Sequence, residues 1–215
     1  MKTVLVTGFA PFGGETVNPS LEAIKPFAGW KTDTYTVETR EIPTVFGKAI
    51  ETLYAAMEDV VPDLVICVGQ AGGRPDLSIE RVALNVNDAR IPDNEGNQPI
   101  DTPIVPNGPV GYWSTLPVKA MVHELRRHGI PASVSHTAGT FVCNHLFYGL
   151  MHYIAESQRP IRGGFIHIPY LPEQAARHPG QPSMALETVV KGLRIAIDVA
   201  FRQEEDIATS EGSIC

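Results

Sequence analysis

The sequence lacks the features typical of proteins that bind nucleic acid, cross membranes or depend on disulfides. Its net charge is −7, from 17 basic and 24 acidic side chains, and no basic cluster occurs. Neither nucleic acid nor an anionic membrane is therefore expected as a partner. No run approaches the roughly 18 continuous apolar residues that a membrane helix needs. Three irregularly spaced cysteines do not make a disulfide framework, which favours the reducing cytoplasm as the location.

The whole chain is predicted to form one domain. Its 215 residues, 43% of them hydrophobic, suffice to bury a large core, and no repeat or domain boundary interrupts residues 1–215. Only residues 206–215, which are small and polar, are predicted to fray. Cys67 lies in an apolar run and is predicted to be a buried, inert thiol, whereas Cys215 is predicted to be exposed and without a role.

Strand-like and helical patterns alternate along the chain. Strands are predicted at Val4–Phe9, Tyr35–Ile42, Leu64–Val68, Ile79–Asn87, Ala132–Ser135 and Gly164–Ile168. Helices are predicted near Pro19–Phe27, Val45–Val60, Leu116–His128, Asn144–Ser157 and Met184–Glu204. Asn18 is the expected cap of the first helix, with Pro19 at its first position. This alternation predicts an α/β fold with helices on both faces of an open sheet. Because a glycine-rich loop, and not a helix, joins the third and fourth strands, the sheet is predicted to be mixed.

The segment Ile91–Tyr112 differs in composition from the rest. Prolines interrupt it at positions 92, 99, 103, 106 and 109, which excludes a regular element. Irregular loops of this length are usually functional or lie at an interface. A lid over substrate and a contact between subunits both remain open.

Cys143 stands where a small-residue turn, Thr137–Thr140, passes into a helical pattern. It is therefore predicted at or near the first turn of a helix, where partial positive charge and unpaired N–H groups favour a thiolate and can bind an oxyanion. His167 follows in a short β-type run that Pro169 closes. A thiol at a helix start and a histidine near a strand end together indicate a cysteine hydrolase.

A carboxylate is expected to orient the imidazole, and Glu80 is the best candidate. It lies at the start of a strand-like run, in apolar surroundings, whereas most other acids lie on solvated helix faces. A glutamate in a strand more commonly faces solvent, and pairing with Arg81 is the alternative. Taken with Cys143 and His167, Glu80 becomes the predicted orienting residue.

Nucleotide and metal sites are not expected. The turn Gly8–Glu15 has the glycine spacing of a P-loop but lacks its Lys-Ser/Thr pair, and Gly69–Arg74 does not fit the dinucleotide spacing. No histidine pair has the four-residue helical spacing of zinc peptidases. No cofactor and no metal are predicted. The histidines are predicted to be scattered over the surface, among them His123, His128, His145 and His152.

Four segments together resemble the pyroglutamyl peptidase I family, also called pyrrolidone-carboxylate peptidases. They are Val6–Gly14, Gly69–Arg74 with Glu80 and Asn85, Thr137–Asn144, and Phe165–Pro172. The match runs from near Met1 to the last long helix, and the combined motifs are highly specific. The resemblance implies a three-layer α/β/α sandwich, similar to purine nucleoside phosphorylases, that assembles as a homotetramer.

The resemblance also implies roles for single residues. Glu80, Cys143 and His167 match a triad that removes N-terminal pyroglutamate (5-oxoproline) from peptides through an acyl-enzyme. Arg90 matches a position beside the oxyanion hole. The implied substrate pocket has apolar walls and a backbone contact to the lactam amide, formed by Phe9, Phe12, Phe141, Val142 and Gln70.

Three other functions are less consistent with the sequence. Nitrilase-type amidases use Glu–Lys–Cys, but the only lysine between Glu80 and Cys143 is Lys119, on a helical pattern. A nucleoside-cleaving enzyme of similar fold would not need Cys143. A binding module that recognises blocked peptide ends is disfavoured because degenerate relatives tend to lose at least one triad residue.

Overall fold

The computed structural model describes residues 1–212, so Cys215 lies outside the described residues. The strands are β1 Lys2–Phe9, β2 Tyr35–Ile42, β3 Leu64–Gln70, β4 Leu77–Glu80, β5 Val82–Leu84, β6 Gly111–Trp113, β7 Ala132–Ser135 and β8 Arg162–Ile168. The helices are α1 Pro19–Ile24, α2 Lys48–Val60, α3 Val118–Arg127, α4 Val142–Glu156, α5 Pro172–Ala175 and α6 Leu186–Arg202. The five predicted helices are confirmed with small shifts at their ends, and the first finishes as a 3-10 turn.

Six strands form the main sheet, in the order β2-β1-β3-β8-β4-β7. All neighbours are parallel except β4 and β8, which are antiparallel. The predicted mixed sheet is confirmed. Its physical cause is the short link between β3 and β4, because a parallel connection needs a crossover of a dozen or more residues.

Side chains alternate between the two faces of this sheet, and each face has its own apolar core. Leu5, Cys67 and Phe165 pack with α2 and α4 on one face. Val6, Ile66 and Ile166 pack with α1, α3 and α6 on the other. The two cores make a three-layer arrangement, which confirms the predicted α/β fold with helices on both faces. Cys67 is buried, as predicted.

The predicted strand Ile79–Asn87 is in fact two strands. β4 ends at Glu80, and β5 leaves the main sheet to pair with β6 in a separate two-stranded sheet. The break occurs at Arg81, whose N–H donates to the carbonyl of Ser135 while its own carbonyl accepts from Ser114. β6 includes Gly111 and Tyr112, the last two residues of the proline-rich segment. That segment was predicted to be irregular throughout, so the prediction is wrong at its end.

Side-chain hydrogen bonds hold the start of α1 against the end of β1. Asn18 caps α1 as predicted, since its side chain accepts the N–H of Ser20 at 3.0 Å. Ser20 Oγ in turn accepts the N–H of Phe9 at 2.9 Å. A Cβ on Gly8 would lie 2.6 Å from the Ser20 carbonyl oxygen, so glycine lets α1 pack directly on β1.

The described part of the C-terminal tail contacts α3, while the predicted fraying of residues 206–215 stays a prediction. The carboxylate of Asp206 accepts the N–H groups of Lys119 and Ala120 at 3.0 and 2.9 Å. These groups belong to the first turn of α3, whose N-terminus has no capping side chain of its own. Arg126 also pairs with Glu211 at 2.7 Å. A missing local cap is thus supplied by the tail.

No helix within residues 1–212 has the length and apolarity to cross a membrane.

Candidate active site

The strand register places His167 and Glu80 on the sheet face that α4 covers. In the antiparallel pair β4–β8, Ser78 lies opposite His167, and Glu80 is two residues further along β4, so both project to the same side. Leu77 and Ile79 project to the other side, into the core with α3 and α6. Glu80 therefore lies fully buried at the end of β4, and not at the start of a longer strand as predicted.

Glu80 and His167 are hydrogen-bonded to each other. Oε1 of the carboxylate lies 2.7 Å from Nδ1 of the imidazole, and both side chains are buried. An ionised carboxylate can only accept, so Nδ1 carries the proton and Nε2 keeps its lone pair. Nε2 has no hydrogen-bond partner among residues 1–212. This tautomer leaves Nε2 available to take a proton.

Cys143 is the second residue of α4, which confirms its predicted place in the first turn. Its Sγ lies 2.9 Å from the position that a Cβ on Gly69 would take, and Gly69 is the strand partner of His167. The thiol therefore sits over the strand next to the imidazole. In the described part of the chain no hydrogen bond joins Sγ to the imidazole.

The surroundings favour the neutral forms of the half-buried Cys143 thiol and of the buried His167 imidazole. Burial, followed by the negative charge of Glu80, raises the pKa of the Cys143 thiol to about 12. Burial lowers the pKa of His167 and outweighs the opposing effect of Glu80. Desolvation therefore opposes the thiolate that the partial charge at a helix start favours. Burial also raises the pKa of Glu80, but contacts with His167, Ser135 and Arg74 bring it below the usual value.

The first turn of α4 presents unpaired donors beside the thiol. The first helical hydrogen bond runs from the N–H of His145 to the carbonyl of Phe141 at 3.1 Å. The N–H groups of Val142, Cys143 and Asn144 have no acceptor among the described residues. Such free N–H groups at a helix start form an anion site.

Arg90 lies close to this turn. Two hydrogen bonds join the preceding segment to it: the N–H of Asp88 donates to the carbonyl of Thr140 at 2.9 Å, and Thr140 Oγ1 donates to the carbonyl of Asp88 at 2.7 Å. Arg90 is exposed and lines a groove together with Thr140 and Phe141. Its guanidinium makes no hydrogen bond or ion pair within residues 1–212.

Three aromatic rings cluster next to the start of α4. Phe141 lies 6.1 Å from Phe12 and 5.3 Å from Phe46, measured between ring centroids, and all three are half-buried. Phe12 and Phe141, two of the predicted pocket walls, thus lie side by side. Phe9 and Val142 are buried in the core between the sheet and α4. Direct contact of these two with substrate stays a prediction.

Gln70 ends β3 beside the same edge. Its side-chain oxygen accepts from Nε2 of Gln174 at 3.2 Å. Gln174 is itself buried and also donates to the carbonyl of Val17 at 3.3 Å. The Gln70 side chain is therefore occupied by the protein, and the predicted lactam contact concerns its backbone.

Comparison with known proteins gives the same assignment as the motifs. The family profile described as pyroglutamyl peptidase matches residues 2–203. The chain is 68% identical over 214 residues to the pyrrolidone-carboxylate peptidase of Brevibacillus brevis, with all of both chains covered. The chain belongs to the pyroglutamyl peptidase I family. It is accordingly a cysteine peptidase.

Other relatives and solved structures agree with this assignment. Pyrrolidone-carboxylate peptidase 2 of Photorhabdus laumondii is 61% identical and aligns over 97% of this chain and 96% of its own. The crystal structure of pyroglutamyl peptidase I from Bacillus amyloliquefaciens superposes with a TM-score of 0.95 at 54% identity, over 97% of this chain and 99% of that one. A mutant pyrrolidone carboxyl peptidase from Pyrococcus furiosus superposes with a TM-score of 0.91 at 45% identity, over 94% of this chain and 99% of that one.

Arg74 and Phe46 belong to the site of this family member but were missed from sequence. Nη1 of Arg74 lies 2.6 Å from Oε1 of Glu80. The signal for Arg74 was present, because it ends one of the segments that carry the family resemblance. No sequence signal pointed to Phe46, which reaches the aromatic cluster only through the folded loop before α2.

His145 was also misjudged, since it is buried and not on the surface. Its Nε2 accepts the N–H of Gly47 at 2.9 Å, so Nδ1 carries the proton and donates to Asn87 Oδ1 at 2.9 Å. Burial lowers the pKa of His145 to about 4. In its neutral form, His145 therefore links α4 by hydrogen bonds to the loops that contain Gly47 and Asn87. Within residues 1–212 no group of three or more His, Cys, Asp or Glu side chains is arranged to hold a metal.

Proposed function

We propose that this chain removes N-terminal pyroglutamate from peptides with Cys143 as nucleophile, His167 as general base and acid, and Glu80 as the residue that orients the imidazole. The observation that carries the proposal is the buried Glu80–His167 hydrogen bond of 2.7 Å, on the sheet face over which the Cys143 thiol sits. A nucleophile, a base and an oriented tautomer are the three parts that such catalysis needs.

Acylation begins from the neutral pair. Nε2 of His167 takes the proton of the thiol as Sγ attacks the carbonyl carbon that joins the lactam ring to the next residue. The resulting imidazolium is stabilised by Glu80, to which it remains hydrogen-bonded. It then gives its proton to the leaving amine, the C–N bond breaks, and the pyroglutamyl group remains on sulfur as a thioester.

Deacylation reverses these roles. His167 accepts a proton from water, whose oxygen attacks the thioester carbonyl. The C–S bond breaks, pyroglutamate leaves, and the proton returns to Cys143. In both steps negative charge develops on the carbonyl oxygen. The N–H groups of Cys143 and Asn144, which have no acceptor within residues 1–212, are suited to bind it. Arg90, which lines a groove with Thr140 and Phe141, is proposed to assist.

The aromatic cluster suits the chemistry of the substrate. Pyroglutamate is small, flat and uncharged, and it lacks the free amine that ordinary aminopeptidases bind. The half-buried rings of Phe12, Phe46 and Phe141 supply apolar walls beside the nucleophile. Such a pocket needs only one donor and one acceptor for the lactam, and the backbone of Gln70 is the proposed partner.

The test is release of a fluorophore from pyroglutamyl-aminomethylcoumarin under reducing conditions. Wild type, Cys143→Ala and Glu80→Gln are compared, with circular dichroism as the folding control. We expect turnover by wild type, none by Cys143→Ala, and a smaller but clear loss in Glu80→Gln, since an orienting residue contributes less than the nucleophile. Turnover by Cys143→Ala would remove the thiol from its role. If none of the three folded proteins releases the fluorophore, a binding module would be favoured.

We further propose a homotetramer in which the end of the proline-rich segment contacts another subunit. Val110 is 86% exposed and Trp113 69% exposed, and such apolar side chains are stabilised by a partner. Light scattering should give a tetramer for wild type and for Val61→Glu, a matched exposed apolar position elsewhere, but a smaller species for Trp113→Glu. A tetramer that persists in Trp113→Glu would favour a lid.

A cytoplasmic location is proposed because the mechanism needs a free thiol, which a reducing compartment preserves. Cell fractionation checks it. Activity recovered mainly from an oxidising compartment or from the medium would contradict it.

A further inference from the structure

The buried carboxylate of Glu80 receives two hydrogen bonds on a single oxygen. Oε1 accepts from His167 Nδ1 at 2.7 Å and from Arg74 Nη1 at 2.6 Å. Oε2 is buried and has no partner among the described residues. A fully buried carboxylate needs a compensating charge to stay ionised. The guanidinium of Arg74, 2.6 Å from Oε1, brings a permanent positive charge to the Glu80 carboxylate.

We propose that Arg74 is a positioning residue that keeps Glu80 ionised and directed at His167, and so maintains the tautomer in which Nε2 is the base. The inference rests on the proposed function, because it assigns Arg74 to the same three catalytic groups. A protonated Glu80 would donate to Nδ1 and leave the imidazole proton on Nε2. That tautomer cannot accept the proton of Cys143.

The same guanidinium links the carboxylate to the turn that leads into the nucleophile's helix. Its Nη1 also lies 3.2 Å from Ser135 Oγ, and its Nη2 donates to the carbonyl of Thr137 at 2.9 Å. Thr137 opens the turn that ends at α4, where Cys143 stands. Only a planar fork can make these contacts together, so lysine can replace the charge but not the geometry.

The direction of the pH effect follows from the groups that surround Glu80. These are Arg74 from the loop after β3, His167 from β8, Cys143 from α4, and the hydroxyl of Ser135 from β7. Arg74 lowers the pKa of both Glu80 and His167. Without it both pKa values rise. The acid limb of the kcat/KM profile, which requires an ionised carboxylate and a neutral imidazole, then moves to higher pH.

The first experiment compares pH profiles of kcat/KM for wild type, Arg74→Met and Arg74→Lys on pyroglutamyl-aminomethylcoumarin. Arg126→Met is the matched control, because Arg126 also binds one carboxylate, Glu211 at 2.7 Å, and one carbonyl, Ala132 at 2.8 Å. We expect Arg74→Met to lose about 10- to 100-fold in kcat, the loss typical of outer-shell residues that orient metal-ligating side chains. The acid limb of its kcat/KM profile should shift to higher pH. Arg74→Lys should have an intermediate kcat and an acid limb at the same pH as wild type. Arg126→Met should match wild type in both.

A second readout does not depend on turnover. Nitrogen-15 NMR of the histidine rings, in a Cys143→Ala background, reports the tautomer and pKa of His167 directly. Arg74→Met should raise that pKa or populate the Nε2–H tautomer. If Arg74→Met does not fold, Arg74→Gln removes the charge while keeping a donor for Thr137. If the tautomer, the pKa of His167 and the acid limb are all unchanged in Arg74→Met, then Arg74 only holds the loop at Thr137 in place. This outcome is distinct from failure of the proposed reaction, which would show as a wild type without turnover.

Discussion

The sulfur of Cys143 lies against the backbone of Gly69. A Cβ at position 69 would stand 2.9 Å from Sγ and 2.7 Å from the ring of Phe165, both closer than side chains tolerate. Gly69 has no unusual backbone angle that would demand glycine. Glycine fits here because the sulfur of Cys143 and the ring of Phe165 together occupy the space of a side chain, directly beside the strand that carries His167.

Gly69→Ala should therefore displace the thiol and lower kcat. A displacement of about 1 Å can cost roughly 100-fold in rate, and we expect a loss of that order. The measurement is kcat on pyroglutamyl-aminomethylcoumarin, together with thermal unfolding.

Gly149→Ala is the control for that variant. Its new Cβ would also meet core atoms, those of Ile50 at 2.6 Å. Gly149 lies in α4, further along the helix that carries Cys143. It should lower the free energy of unfolding by about 1–3 kcal/mol without a comparable effect on kcat. Equal kcat losses in both variants would mean that Gly69 matters only for packing.

His145 should make stability depend on pH. Its pKa is about 4 in the folded protein against 6.5 for an ordinary histidine. Between these values the unfolded chain binds a proton that the folded chain does not, so stability falls as the pH falls through this window, by about 3 kcal/mol in total. Below the folded pKa both states are protonated and this loss ends.

Urea unfolding between about pH 7 and about pH 4.5 checks this. His145→Gln, whose amide can still accept the N–H of Gly47, should show a shallower loss than wild type. His123→Gln, at an exposed position, serves as the control and should follow wild type. Identical slopes in all three proteins would show that His145 does not resist protonation.

Asp206→Ala should remove the cap that the tail supplies to α3. Losing such a cap costs about 1 kcal/mol, or roughly 2–4 °C in Tm for a chain of this size. Calorimetry should show this loss, with kcat unchanged because α3 lies on the opposite sheet face from Cys143. Glu205→Ala, an exposed neighbour, should have no effect. A wild-type Tm for Asp206→Ala would show that the tail does not stabilise α3, as expected of a frayed tail.

Local chemistry decided what the sequence could predict well. The turn before Cys143 and the apolar periodicity after it predict a thiol at a helix start, and the structure places it there. Asn18 and Pro19 likewise predict the start of α1, and the glycine-rich link after β3 predicts a mixed sheet. These features depend on residues close together in the chain, so they can be recognised before the fold is known.

The sequence by itself thus determined the fold class, the family and the candidate triad. Tertiary structure alone decided which groups meet: the guanidinium of Arg74 on Glu80, Asp206 on α3, and the loops bound by His145. It also sets the desolvation that raises the pKa of the Cys143 thiol, because desolvation depends on what packs around a thiol. Pairings between residues far apart in the chain follow from strand order and helix packing, and no local pattern records them.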